Sequence, residues 1–196
     1  MLKTNSLNDP KLLSLIQSGA VGVLPTDTVY GLAGLASNKM AVKRLYQLKS
    51  RDHKPGTVVA ANLEQLETLG IKHRYLKAVK QFWPGPISIE IPHQLEYLHQ
   101  GTGREAFRIP EAKSFLKLLQ ITGPLLTSSA NLPGEPVASN IQEAEEYFGS
   151  KLDFYVDGGD LSGRPPSTII RIIDDAIEVI RQGAVSIDPI TQRVIK

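Results

Sequence analysis

The chain has 196 residues, the length of one compact domain, and is long enough to bury a substantial core. It contains no cysteine, which excludes disulfides, thiolate metal ligands and cysteine nucleophiles, and its formal net charge of +2 is too small for a protein that coats nucleic acid. The N-terminal residues lack the pattern of a secretion signal and no apolar run is long enough to span a bilayer, so we expect a cytoplasmic protein.

Short apolar runs alternate with longer segments of helical periodicity, which predicts one mixed α/β domain over residues 1–196 with its core at about 9–183. Pro10 at a first helical position and Asn38 as a cap mark the starts of the first two helices. The predicted helices span residues 9–19, 38–49, 63–69, 75–82, 113–120 and 141–148. The predicted strands span residues 20–24, 57–61, 87–91, 106–109, 154–156, 168–172 and 177–180, and a further strand ends at 125–126.

The first polar segment, residues 25–31, follows a predicted buried strand and carries Thr26, Asp27 and Thr28. Hydroxyls at such a strand end can bind a sugar or an amino acid. Threonine and aspartate side chains can equally cap the backbone of their own turn. The residues alone leave both interpretations open.

A basic segment, residues 49–56, follows the second predicted helix and contains Lys49, Arg51 and Lys54. Cations at a helix C-terminus often do no more than stabilise the dipole. They can also clamp phosphates, because arginine and lysine match anionic oxygens. The P-loop pattern is absent, so any nucleotide would be bound in another way.

A third polar segment, residues 127–134, places Thr127, Ser128 and Ser129 in succession before Asn131. Such a segment can present hydrogen-bond donors to an anion. No nucleophile elbow surrounds these serines and the histidines lack metal-ligand spacing, which disfavours a serine–histidine hydrolase. We interpret the histidines as surface residues: His53, His73, His93 and His99.

Three further polar residues lie in or beside predicted strands. Arg108 interrupts an apolar run, and a charge at such a position is costly unless it is paired or faces a ligand. Ser167 precedes one strand and Arg181 ends the next. Solvated strand ends would explain both equally well.

Seven segments, in this order, resemble the threonylcarbamoyl-AMP synthase family, the YrdC-like domain. They are PTDTVYGLAG, KSRDHKP, WPGPIS, FRIP, TSSANLPGEP, PSTIIRI and IRQGAV, and the resemblance extends from about Gly22 to Gly183. It implies a single twisted mixed sheet with a positively charged concave face, in the short form of the family that lacks a C-terminal domain. The chain departs from the family pattern at Asp52, Gly56, Val59 and Arg104.

The resemblance also implies residue roles. The residues implied to bind threonine are Thr28, Arg108, Thr127 and Ser167. Those implied to bind ATP are Lys49, Arg51, Lys54, Ser129, Asn131 and Arg181. Direct catalytic roles are expected for Lys49, Arg51 and Arg108. Magnesium is expected on the ATP phosphates, without a metal site in the protein.

The implied reaction joins L-threonine, bicarbonate or carbon dioxide, and ATP into threonylcarbamoyl-AMP and pyrophosphate for a tRNA modification. A threonylcarbamoyl transferase complex would be the partner, and tRNA itself is a further candidate partner.

Two alternative functions stay open. One is a non-catalytic module that binds double-stranded RNA or tRNA, and the other is a different enzyme, such as a sugar-phosphate lyase, which would need an acidic metal cluster.

Overall fold

The computed structural model describes residues 1–50, 54–174, 176–188, 191 and 193–195. Its helices are α1 (Pro10–Gln17), α2 (Lys39–Lys49), α3 (Leu63–Thr68), α4 (His73–Val79), α5 (Glu96–His99), α6 (Lys113–Thr122) and α7 (Ile141–Phe148). Single 3₁₀ turns occur at Lys80–Phe82 and Gly149–Lys151. The strands before residue 110 are β1 (Leu2–Thr4), β2 (Val21–Pro25), β3 (Tyr30–Leu35), β4 (Thr57–Val59), β5 (Ile87–Pro92) and β6 (Arg104–Arg108). Those after it are β7 (Leu125–Ser129), β8 (Phe154–Val156), β9 (Thr168–Ile173), β10 (Ala176–Arg181), β11 (Ser186–Ile187) and β12 (Val194–Ile195).

Ten of these strands form one mixed sheet in the order β1-β8-β2-β3-β7-β4-β6-β5-β9-β10. Parallel pairs include β4 with β6 and β5 with β9, whereas β3 with β7 and β9 with β10 are antiparallel. The order places strand ends from distant parts of the chain side by side. The predicted mixed α/β class is confirmed, and no helix in the described ranges is long and apolar enough to cross a membrane.

Helices cover both faces of the sheet. Successive side chains of a strand point to opposite faces, so they pack against different helices. On β2, Val23 belongs to the larger apolar cluster with α2 and α7, whereas the next residue, Leu24, belongs to a second cluster with α1 and α6. The predicted starts of the first two helices are confirmed, whereas the helix predicted over residues 75–82 begins at His73. The Asp9 carboxylate accepts from the Lys11 amide, and the Asn38 side chain accepts from two amides of the first turn of α2.

Two segments that we predicted as polar loops, residues 25–31 and 127–134, are in part strands. Residues 30–35 form β3, and β7 continues past Leu126 to Ser129. The reason is a backbone ladder between these two strands, in which Gly31 pairs with Ser129 and Ala33 pairs with Thr127. At residues 127–129, main-chain pairing therefore outweighs the polar composition, and the hydroxyls of this stretch are held in the sheet.

The prediction that the histidines lie on the surface is wrong for two of them. His93 and His99 are buried. A ring nitrogen of His93 bonds the carbonyl of Leu69, and Nδ1 of His99 accepts from the Gly103 amide. Their hydrogen bonds to backbone compensate for the burial. His73 is exposed as predicted, and His53 lies outside the described residues.

Candidate active site

A small pocket lies where the turn between β2 and β3 meets β6, β7 and the start of β9. Its volume is about 110 Å³. Its lining includes the polar residues Thr26, Thr28, Arg108, Thr127, Ser167 and Arg181. All four residues predicted to bind threonine are therefore brought together from four separate stretches of the chain.

A second pocket, of about 320 Å³, adjoins the first. It is lined by Lys49, Ser50, Lys54, Ser129, Asn131, Pro133 and Gly134. Ser129 lines both pockets, so they share a wall. Four residues predicted to bind ATP lie here, but Arg181 lines the first pocket instead. Arg51 is outside the described residues.

The turn between β2 and β3 uses one threonine for structure and exposes another to the pocket. The Thr26 hydroxyl donates to the Val29 carbonyl at 2.7 Å and accepts from the Thr28 amide at 3.1 Å. Thr26 therefore caps its own turn. The Thr28 hydroxyl lies 3.3 Å from a guanidinium nitrogen of Arg108, which donates to it. Both interpretations of this segment thus apply, each to a different residue.

Arg108 is almost fully buried at the C-terminal end of β6, and its charge is paired. Its Nη2 lies 3.1 Å from a carboxylate oxygen of Asp27. Burial raises the pKa of the Asp27 carboxyl, and the Arg108 guanidinium opposes that increase. The pair is close but poorly aligned, because neither Asp27 oxygen nor Arg108 Nε forms a well-aligned hydrogen bond to the described residues. The guanidinium therefore keeps capacity to bind an anion in the pocket.

Ser167 and Arg181 meet at the other side of the pocket. The Arg181 guanidinium donates to the Ser167 carbonyl at 2.7 Å and to its hydroxyl at 3.2 Å. The pairing of β10 with β9 shifts register between Val179 and Arg181, and such a bulge changes the direction in which a side chain points. Next to this contact, Gly183 approaches Ser167 so closely that a Cβ would lie 2.6 Å from the Ser167 carbonyl.

Lys49 is the central residue of the second pocket, yet it is almost fully buried. Its ammonium donates to the Ser129 carbonyl at 2.9 Å and to the Asn131 side-chain oxygen at 2.7 Å. The Ser129 hydroxyl donates to the same Asn131 oxygen. Lys49 therefore fixes the loop that follows β7, in addition to any contact with a ligand. Its predicted role in binding ATP stays a prediction.

Gly56 explains one departure from the family pattern. A Cβ at this position would lie 2.5 Å from the Thr127 carbonyl, so the backbone of β7 leaves room only for glycine. Val59 and Arg104, two other departures, line neither pocket. Asp52 is outside the described residues.

Two buried residues behind the pocket were missed by the sequence analysis. Asp27 was recognised only as part of a turn, although a carboxylate is the natural partner for a buried arginine. Ser88 is fully buried on β5 and donates a hydrogen bond to the Ser167 hydroxyl at 2.9 Å. The signal for Ser88 was a lone hydroxyl between Ile87 and Ile89 in an apolar strand.

The described residues contain no group of three or more acidic or histidine side chains suited to a metal ion. Among the described residues, no carboxylate lines either pocket. The acidic metal cluster that a sugar-phosphate lyase would need is therefore absent from the part of the chain that the structure describes.

Comparison with known proteins places the chain in a family. The family model Sua5_yciO_yrdC, described as telomere recombination, matches residues 14–183. The threonylcarbamoyl-AMP synthase of Pseudomonas putida (strain GB-1) is 34% identical over 174 residues, which are 86% of this chain and 93% of that protein. The threonylcarbamoyl-AMP synthase of Pyrococcus abyssi is 31% identical over 182 residues, which are 89% of this chain.

The chain spans only 54% of the Pyrococcus abyssi protein, about half its length. The crystal structure of P. abyssi Sua5 complexed with L-threonine matches with a TM-score of 0.83 at 28% identity, over 94% of this chain and 58% of that one. Sequence and fold agree over most of the chain. The protein therefore belongs to the Sua5/YciO/YrdC family.

Proposed function

We propose that this protein synthesises threonylcarbamoyl-AMP from L-threonine, bicarbonate or carbon dioxide, and ATP, in the cytoplasm. The observation that carries the proposal is the pair of adjoining pockets, a small one with hydroxyls and two arginines and a larger one with two lysines. Relatives named threonylcarbamoyl-AMP synthase and a solved relative complexed with L-threonine support the same assignment.

The small pocket would bind threonine. Thr28, Thr127 and Ser167 offer hydroxyls, and Arg108 offers a charge for the carboxylate or the carbamate. The larger pocket would bind the triphosphate of ATP through Lys54, with Lys49, Ser129 and Asn131 forming its wall. Arg51, outside the described residues, would complete the phosphate clamp. Arg181 would act at the boundary between amino acid and nucleotide.

The chemistry requires no protein nucleophile. The threonine nitrogen attacks the carbon of carbon dioxide and releases a proton to solvent, which gives an N-carboxy carbamate. With bicarbonate, the proton from the nitrogen and the departing hydroxide leave together as one water. A carbamate oxygen then attacks the α-phosphorus of ATP, the bond to the bridging oxygen breaks, and pyrophosphate departs. Positioning of two anionic reactants is the main requirement, and good orientation contributes about 7–11 kcal/mol in comparable reactions.

Magnesium would neutralise the phosphates during this step. Because none of the lining residues that the structure describes is a carboxylate, the ion would be bound by ATP oxygens and water, as is common for magnesium at nucleotide sites. The protein's own residues would then bind the outer phosphate oxygens and exclude other orientations.

The product would serve a tRNA modification, and the transferase complex that consumes it would be the partner.

The alternative function, a module that binds RNA without catalysis, is less well supported. RNA binding needs cations that reach a solvent-exposed backbone, whereas Arg108 is only 3% exposed and ion-paired.

One incubation tests the proposal: the protein with L-threonine, bicarbonate, magnesium and ATP labelled at the α-phosphate. We expect a labelled adenylate and pyrophosphate, both dependent on threonine and on bicarbonate. Arg51→Ala should abolish the reaction, and Thr28→Val should weaken threonine binding more than ATP binding. No threonine-dependent product from the intact protein would overturn the proposal.

A further inference from the structure

A fully buried hydroxyl lies directly behind the threonine pocket. Ser88 is on β5 between Ile87 and Ile89 and has no exposed surface. A hydroxyl without a hydrogen bond in such a place would be costly. Its bond is to the Ser167 hydroxyl, at 2.9 Å, with Ser88 as the donor. The parallel pairing of β5 with β9, in which Ser88 is opposite Ile169, fixes the two serines side by side.

The hydrogen bonds at Ser167 determine the direction of its own proton. A serine hydroxyl has one donor hydrogen and two acceptor lone pairs. The Ser167 oxygen accepts from Ser88 and also from the Arg181 guanidinium, which can only donate. Both lone pairs are then occupied. Within the described ranges, no bond is donated by the Ser167 hydroxyl, and this residue lines the pocket.

We propose that Ser88 is a positioning residue that makes Ser167 a hydrogen-bond donor toward the ligand. Ser167 therefore binds an acceptor atom, such as a carboxylate, carbamate or hydroxyl oxygen, and disfavours an ammonium group. Arg108 and Arg181 line the same pocket, and none of its described lining residues is a carboxylate, so the anionic end of the ligand lies here. This inference rests on the proposed function, because it assumes that the ligand is threonine or its carbamate.

Loss of the Ser88 hydroxyl leaves one lone pair of Ser167 free, so its hydroxyl can rotate and donate elsewhere. We expect Ser88→Ala to weaken binding of L-threonine about five- to tenfold, the effect of one hydrogen bond, with ATP binding unchanged. Ser88→Cys should recover part of the loss, because a thiol is a weak donor of similar size.

A double-mutant cycle with Ser167→Ala separates positioning from general damage. Isothermal titration of L-threonine into the four proteins should show that Ser88→Ala has no further effect once the Ser167 hydroxyl is absent. Thr122→Val is the matched control. Thr122 is a buried residue of α6 whose hydroxyl, in the part of the chain that the structure describes, bonds only to backbone carbonyls, so its loss affects stability but not threonine binding.

The outcomes are distinct. If the intact protein does not bind threonine, the proposed function fails and the inference fails with it. If the intact protein binds threonine and Ser88→Ala binds equally well, only the inference fails. An equal loss in the Ser167→Ala background, or an equal loss of ATP binding, would show that Ser88 acts through the general packing and would also overturn the inference.

Discussion

Asp27, in the turn between β2 and β3, and Arg108, at the end of β6, form an ion pair at 3.1 Å beneath the threonine pocket. Both side chains are more than nine-tenths buried. Arg108 also donates to Thr28, the residue that follows Asp27. One turn thus supplies both the charge partner and the hydroxyl partner of the arginine, so its position depends on that turn.

Asp27→Asn removes the charge partner without changing the size of the side chain. The Arg108 charge would then be buried without compensation, and breaking such a pair typically costs about 3 kcal/mol or more. We expect a loss of unfolding free energy of about that size in urea titrations, together with weaker threonine binding.

Asp153→Asn is the matched control for that variant. Asp153 pairs with Arg44, but its side chain is 34% exposed and the arginine is 39% exposed. Pairs exposed to this extent contribute at most about 1 kcal/mol, and an asparagine oxygen can still accept from the Val21 amide that Asp153 bonds. The control should therefore lose little stability and no threonine affinity. Equal losses in the two variants would contradict the importance of burial at Asp27.

Lys49→Met tests whether the buried ammonium organises the second pocket. The substitution keeps an unbranched side chain but removes the ammonium that donates to the Ser129 carbonyl and to the Asn131 side-chain oxygen. Among the described residues, these two acceptors keep only the neutral donors of the Asn131 amide and the Ser129 hydroxyl. We expect ATP binding to weaken by at least tenfold, because a hydrogen bond to a charged group contributes about 1.5–3 kcal/mol and the loop can shift without it. Fluorescence titration with a nucleotide analogue measures this.

Lys43→Met provides the comparison on the same helix. Lys43 is exposed on α2 and lines neither of the two pockets of the candidate site. Its loss should leave nucleotide affinity nearly unchanged. Equal weakening in both variants would indicate that only the general charge of α2 matters.

The sequence predicted most elements, because caps such as Asn38 and the helical periodicity of α2 and α7 act locally. It missed β1, β3, α5, β11, β12 and the end of β7. At the end of β7, pairing with a distant strand outweighs the local polar composition. The residues of the site were grouped through a resemblance. Their partners Asp27 and Ser88 were not, because a buried carboxylate and a buried hydroxyl gain their meaning from residues 80 positions away.

Glu105 predicts a pH dependence of stability. Burial raises the pKa of this fully buried carboxyl well above its usual value. The hydrogen bond that it accepts from the Ala106 amide lowers the pKa, but by less. The unfolded chain then releases the proton at a lower pH than the folded protein does. Stability should therefore fall as pH rises above the unfolded pKa of about 4.3, until the folded pKa is passed.

Glu105→Gln removes this ionisation and keeps an oxygen for the Ala106 amide. We expect the variant to be more stable than the unmodified protein at about pH 8, with the difference disappearing near pH 4. Urea titrations at a series of pH values measure it. A stability difference that is the same at every pH would contradict a buried, ionising Glu105.

Gly56→Ala tests the close approach between the basic segment and β7. The added Cβ would lie 2.5 Å from the Thr127 carbonyl, a backbone atom of the sheet that cannot move away, so the segment carrying Lys54 must shift. We expect a destabilisation of about 1–3 kcal/mol, typical of overpacking. We also expect weaker binding of both threonine and ATP, because Gly56 lines the first pocket and Lys54 the second.

Gly85→Ala is the matched control, since its Cβ would lie 3.5 Å from the Phe82 carbonyl, an ordinary contact. Thermal melts and ligand titrations of both variants decide the matter. Unchanged ligand affinities in Gly56→Ala would show that the segment can move without disturbing either pocket.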